Sequence, residues 1–200
     1  MKVDPQEVTV VVLAGGRGRR MGGRDKGLVE IGGAALIEHV ISIMAPQAGK
    51  LMINANRNAE AYRRYGYAVV NDSMSGFQGP LAGFASAMAN ADTPYVVTIP
   101  CDSPLLPDDL VQRLIDALHD GHAELAVAHD GERLQPVFAL IDVRLLASLQ
   151  RFLERGDRKI DLWYAGHKMA LTDFSDSPNM FLNLNTPADE ESLAQQLQPR

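Results

Sequence analysis

Val8-Thr9-Val10-Val11-Val12-Leu13-Ala14-Gly15-Gly16 is the stretch from which the architecture can be read. Its apolar and β-branched side chains run from Val8 to Leu13 without polar alternation, which predicts a strand covered on both faces, and paired glycines end it abruptly. Similar runs occur at Leu51 to Ala55, Ala68 to Asn71 and Tyr95 to Pro100. Between them, helical spacing marks Ala34 to Met44, Ala59 to Tyr65, Pro80 to Asn90 and Pro107 to Leu118. Pro80 and Pro107 read as first-turn prolines, where a missing N–H costs nothing. Strands alternating with helices build a mostly parallel central sheet with helices on both faces, so residues 1–120 read as a three-layer, Rossmann-like α/β unit.

Beyond residue 120 the pattern changes. Glu124 to His129 and Gln135 to Ile141 flank Asp130-Gly131, a turn signal that predicts a small antiparallel extension. Helical stretches follow at Val143 to Glu154 and Arg158 to Trp163, then an alternating run from Lys168 to Phe174. Ser175 to Asn179 reads as a polar loop, and Phe181 to Leu184 leads into a last helix from Pro187. With no internal repeat and no linker, residues 121–200 are expected to extend the same sheet within one domain spanning 1–200.

The composition fits that expectation. Two hundred residues with 46% hydrophobic and 22% charged side chains are a folded domain, far from the disordered range. A net charge of −6 argues against nucleic acid or an anionic membrane as partner. The single cysteine, Cys101, rules out a disulfide framework and a thiolate-rich zinc site, and fits a reducing cytoplasm. Asp4 and Glu7 spoil the positive leader of an export signal, and no run approaches the roughly 18 apolar residues of a membrane span.

The acidic average hides a basic segment. Arg17, Arg19, Arg20, Arg24 and Lys26 fall within ten positions, against 19 basic residues in the whole chain of 200. Leu13-Ala14-Gly15-Gly16 stands directly before them, where glycines let the backbone turn sharply and aim N–H groups at a phosphate. The combination points to a bound triphosphate. It is not the dinucleotide fingerprint, because Met21 stands where Gly16 and Gly18 would require a third glycine. Nor is it a Walker loop, because Lys26 is followed by Gly27 and not by Ser or Thr.

Asp102 ends the strand Tyr95 to Pro100, at the edge where open α/β sheets bind ligands. A lone carboxylate there suits Mg²⁺, which keeps most of its waters and takes one or two protein oxygens together with substrate phosphates. Capping of the following helix is the plainer role for Asp102, although Ser103 and Asp108 are available for that. Asn54 and Asp72 end neighbouring strands and are read either as turn residues or as contacts to base or ribose; guanine N1 and N2 offer donors that a carboxylate accepts. Cys101 is expected to pack beneath the site. None of the histidines, His39, His119, His122, His129 and His167, falls in a motif, and each is read as structural or on the surface.

Taken in order, Leu13 to Gly16, Arg20-Met21-Gly22, Asp25-Lys26, Ile53 to Asn56, Asn71-Asp72, Gly79 to Gly83, Pro100 to Asp102 and Phe181 to Pro187 resemble the molybdenum cofactor guanylyltransferase family. The resemblance covers nearly the whole chain, and its Asn-x-Asn-Thr-Pro ending is the element that sugar nucleotidyltransferases lack. It implies transfer of GMP from GTP to the terminal phosphate of molybdenum-molybdopterin, giving molybdopterin guanine dinucleotide and pyrophosphate. Leu13, Ala14, Gly15, Gly16, Lys26, Asn54, Asp72 and Asp102 would bind GTP. Asp102 would also hold Mg²⁺, and Lys26 and Arg20 would meet phosphate charge. Arg158, Asn183 and Asn185 would contact the pterin, making 1–120 a nucleotide half and 121–200 an acceptor half. Lys159 departs from a common arginine pair there. Proteins of molybdenum cofactor biosynthesis and delivery become possible partners.

The missing motif histidine fits such a reaction. A phosphate monoester has a second pKa of about 6, so the attacking oxygen is already ionised at neutral pH and needs no base. Two other readings stand beside this one. The first is a related nucleotidyltransferase using another acceptor or CTP. The second is a binding module using Arg17 to Arg24 on nucleic acid, against which no aromatic residue lies between Ala14 and Pro46 to stack on bases.

Overall fold

The computed structural model describes residues 3–14, 16, 22–72 and 79–197 of the chain. The elements begin with β1 (Val8–Leu13), β2 (Glu30–Ile31), β3 (Ala34–Ala35), α1 (Leu36–Met44), β4 (Lys50–Asn54), α2 (Ala59–Arg63), β5 (Ala68–Val70) and α3 (Pro80–Asn90). They continue with β6 (Tyr95–Pro100), α4 (Leu110–Asp120), β7 (Leu125–His129), β8 (Leu134–Asp142), α5 (Leu146–Glu154), α6 (Ile160–Tyr164), β9 (Met169–Asp173) and α7 (Pro187–Gln196). Among the described residues one sheet has the order β5-β4-β1-β6-β8-β7-β9, and β2 and β3 form a separate antiparallel pair. β5, β4, β1 and β6 are parallel to one another, as are β7 and β9. β8 runs antiparallel to both its neighbours. The architecture is the expected three-layer α/β fold with a mostly parallel sheet.

β1 is central, which is why its sequence is apolar without alternation. Val8, Val10 and Val12 pack into one core with Ile37 and Val40 of α1 and Leu114 and Ile115 of α4. Val11 faces the other core, with Leu81 and Phe84 of α3 and Leu149 of α5. Thr9 is buried too, and its hydroxyl shares a 2.7 Å hydrogen bond with that of Thr93, so no polar group is stranded. In register, Leu13 is level with Asn54 on one side and Pro100 on the other, and Asn54 with Val70. The carboxyl ends of four parallel strands therefore open onto one edge.

Two expected boundaries shift for local reasons. Ala34 and Ala35 were read into a helix but pair with Ile31 and Glu30 across Gly32-Gly33, both at positive φ, as a two-residue hairpin turn requires. The helix then starts at Leu36, and the Ala35 amide is taken by the Glu38 carboxylate at 3.0 Å. The fourth helix starts at Leu110 and not at Pro107, because the Gln47 side chain spans this turn. It donates to the Pro107 carbonyl at 2.9 Å and accepts from the Val111 amide at 3.0 Å. No helix among the described residues is long and apolar enough to cross a membrane.

Candidate active site

Lys26, Asp102 and Asn185, read from three distant parts of the chain, meet at this edge. The Lys26 Nζ donates to Asp102 Oδ2 and to Asn185 Oδ1, each at 2.7 Å. Both charged side chains are mostly covered, 21% and 13% exposed, so water screens their attraction less than it would at an open surface. Asp102 follows β6 directly. Its carbonyl accepts the Leu184 amide at 3.2 Å, and the buried Ser103 hydroxyl donates to Asn183 Oδ1. Leu184 itself is fully buried with Val29, Ile31, Leu36 and Leu193. The Asn-Leu-Asn alternation thus anchors one apolar side chain and turns an asparagine to each side of it, which brings Asn183 and Asn185 against 102–103.

The strand ends beside them form a second cluster. Ala14 donates its amide to the Asn54 carbonyl at 2.8 Å, and Cys101 donates to the Leu13 carbonyl at 3.1 Å, so each ladder runs one bond past its strand. Asn54, 3% exposed, donates from Nδ2 to Asp72 Oδ1 at 3.0 Å. Asn56 donates from Nδ2 to Asp72 Oδ2 at 2.7 Å and accepts the Asp72 amide at 2.8 Å. Sequence reading paired Asn54 with Asp72 by position; Asn56 completes the grip on the carboxylate. Gly83 of α3 lies against the same point, where an added Cβ would sit 2.7 Å from Asn54 Oδ1 and 3.0 Å from a Leu13 methyl carbon.

Gly16 is exposed, and a Cβ added there would meet nothing within 4 Å among the described residues. Gly15 and Arg20 lie outside the described residues, as do Arg17 and Arg19. Arg24 is described and pairs with Glu190 of α7 at 3.3 Å. Arg158 is tied elsewhere: its Nη1 donates to the carbonyls of Leu153 at 2.7 Å and Asp157 at 2.6 Å, at the end of α5. Lys159 starts α6 and is exposed.

Cys101 packs under the site as expected, and burial, with Asp102 and Asp25 close by, pushes its thiol pKa well up, so it stays protonated. The histidines have local partners. His39 Nε2 meets the Ile31 carbonyl at 2.8 Å, His129 Nδ1 accepts the Gly131 amide at 3.0 Å, and His167 Nε2 meets the Ser148 hydroxyl at 2.9 Å. His119 stacks at a tilt on His122.

Sequence reading missed a buttress behind Lys26. Asp25, its side chain 7% exposed, accepts from the Tyr62 hydroxyl at 2.6 Å and from Asn58 Nδ2 at 2.9 Å. Arg57 donates to the carbonyls of Gly23 and Arg24, both at 2.8 Å. Bonds to backbone carbonyls from a residue 34 positions away leave no local pattern; the nearest signal was an arginine between two asparagines just after a strand end.

Comparison with known proteins places the chain in a family. The family model for the MobA-like NTP transferase domain matches residues 10–169. A Shewanella protein called molybdenum cofactor guanylyltransferase is 51% identical over 191 residues, covering 96% of this chain and 97% of its own. One of the same name from Shewanella halifaxensis is 50% identical, covering 94% of each. Among solved structures, molybdopterin-guanine dinucleotide biosynthesis protein A from Archaeoglobus fulgidus superposes with a TM-score of 0.80 at 23% identity, over 94% of this chain and 97% of that one. A 4-diphosphocytidyl-2C-methyl-D-erythritol synthase from Anaerococcus prevotii gives 0.78 at 12% identity, over 99% of each chain. The last two speak for the fold alone.

Proposed function

The chain belongs to the MobA-like NTP transferase family, and on that premise we propose that it transfers GMP from GTP to the terminal phosphate of molybdenum-molybdopterin, releasing pyrophosphate. The observation that carries this reading is the convergence of Lys26, Asp102 and Asn185 at the carboxyl edge of the parallel strands. Relatives that bear the guanylyltransferase name over nearly their full length support it.

The residues divide the work. A triphosphate entering the edge takes the Lys26 ammonium from its present partners, exchanging one carboxylate for phosphate oxygens in charge-assisted hydrogen bonds. Asp72, held open by Asn54 and Asn56, presents carboxylate oxygens to the N1 and N2 donors of guanine. Leu13, Ala14 and Gly16 border the nucleotide, and Gly15 and Arg20 are assigned to it from sequence. Asn183 and Asn185 face the acceptor side, and Arg158, bonded at the end of α5, is assigned to the acceptor from sequence alone, so residues 1–120 serve the nucleotide and 121–200 the acceptor within one domain.

The donor chemistry fits Mg²⁺. Asp102 offers a hard carboxylate oxygen and the neighbouring Cys101 is buried as a neutral thiol, so the donors present suit a hard ion. Asp102 would hold the ion, which when bound supplies neutralisation of phosphate charge. The protein's own part is positioning two anions and meeting charge as it builds at the α-phosphate, with no general base. We place the reaction in the cytoplasm, with cofactor biosynthesis and delivery proteins as the partners that bring pterin and take the product.

Asp102→Ala tests this directly. It should fold and lose pyrophosphate release by about a hundredfold or more, while near-normal turnover would end the assignment. Lys26→Ala should weaken GTP binding; loss of pterin binding alone would reverse the two halves of the site.

A further inference from the structure

What fixes Lys26 from behind comes from residues 57–62, the turn after β4 and the start of α2. The backbone on both sides of Lys26 rests on Tyr62, which is fully buried: Asp25 accepts the Tyr62 hydroxyl, and a Cβ on Gly27 would come within 2.6 Å of that oxygen. Asp25 takes no part in capping the helical turn Lys26–Leu28 that it precedes, because its carboxylate is spent on Tyr62, Asn58 and Arg57. The Arg57 guanidinium spans the two carbonyls before Asp25, with its Nε 3.5 Å from Asp25 Oδ2. Asn58 adopts the left-handed conformation, φ 52°, and its amide reaches Asp25. Just before this turn and at its start, Asn54 at the end of β4 and Asn56 grip Asp72. Residues 54–58 therefore hold the nucleoside end of the site with one set of side chains and the phosphate end with the next.

Building on the nucleotide site assigned above, we propose that Arg57 is a positioning residue that fixes Lys26 and couples it to Asp72 at the nucleoside end. It touches no reacting atom. Its planar fork brings two separate nitrogens, Nη1 and Nη2, each to one carbonyl, a fixed geometry that the single nitrogen of a lysine does not reproduce, and a shift of the 23–25 backbone moves the Lys26 ammonium away from the phosphates.

The test has a nucleotide-free arm and a nucleotide arm. In the first, Lys26 is acylated with a small amine reagent and its rate is read by peptide mass spectrometry against exposed Lys168. Arg57→Lys should raise the relative rate at Lys26 several-fold, because the ammonium leaves Asp102 and Asn185; an unchanged rate in a folded variant overturns the proposal. In the second, calorimetry with GTP should show that Arg57→Lys weakens binding about tenfold. In a Lys26→Ala background the same substitution should cost less than about twofold, since the two act as one unit. Equal penalties in both backgrounds also overturn it. Should the unsubstituted protein not bind GTP, the functional reading falls, and the labelling arm still decides the role of Arg57. If Arg57→Lys does not fold, Tyr62→Phe, which deletes only the hydroxyl on Asp25, is read by the same labelling with the same two outcomes.

Discussion

At position 83 a single methyl group decides between two opposed effects. Replacing a helical glycine by alanine ordinarily gains about 0.5–1 kcal/mol. Here the new Cβ would stand 2.7 Å from Asn54 Oδ1, on a side chain that is 3% exposed and already tied to Asp72. Overpacking of that kind costs about 1–3 kcal/mol, so Gly83→Ala should lower stability in denaturant unfolding and weaken GTP binding together. A destabilised variant with unchanged GTP affinity would show that the Asn54–Asp72 pair does not serve the nucleotide. At this scale, what was readable depended on where each partner lies. Lys26 and Asp102 were marked by a glycine loop and a strand end. Asn56 and Arg57 were not, because what they hold, a carboxylate 16 residues on and carbonyls 34 and 33 residues back, has no signature in their own neighbourhood.

The C-terminal helix makes the element-scale case. α7 is introduced by Asn185 and Thr186, whose amides both donate to Asp189 Oδ2, at 2.8 and 2.7 Å, while the Asp189 amide turns to the Thr186 hydroxyl at 3.3 Å. These backbone amides, with Lys26 nearby, hold the Asp189 pKa below its ordinary value. A lowered folded pKa stabilises fully above the unfolded value, about 3.9, and that contribution drains away as pH falls through the folded value. Acidification below about pH 4 should therefore loosen 185–189 before the core unfolds, seen as lost amide protection there. The early loosening should vanish in Asp189→Asn, and its persistence in that variant would disprove the coupling. Elements buried on both faces, such as β1 and β6, were legible to the residue because their apolar runs are bounded by turn residues. The start of α4 was not, because a side chain from residue 47 sets it, and β3 was not, because its two alanines also fit the first turn of the helical pattern Ala34 to Met44 that follows Gly32-Gly33.

For the whole molecule, net charge is a poor guide to what the site accepts. The chain carries −6, yet Arg24, Lys26 and Arg57 gather where Asp25, Asp72 and Asp102 are each held by hydrogen-bond donors. The acidic balance argues against a whole surface built for nucleic acid, while on the proposed reading the edge takes two compact polyanions meeting end to end. The sheet accounts for the juxtaposition: four parallel strands open onto one edge, and the segment 183–185, pinned by Leu184, lays Asn183 and Asn185 against residues 102–103 and Lys26. On the proposed reading, base choice rests on Asp72, whose carboxylate Asn54 and Asn56 hold. The direct measurement is product formation by the purified chain given molybdenum-molybdopterin, Mg²⁺ and either GTP or CTP, with dinucleotide and pyrophosphate quantified together. GTP should give molybdopterin guanine dinucleotide and an equal amount of pyrophosphate, with little product from CTP; a cytosine dinucleotide, or no transfer from GTP, would contradict the account.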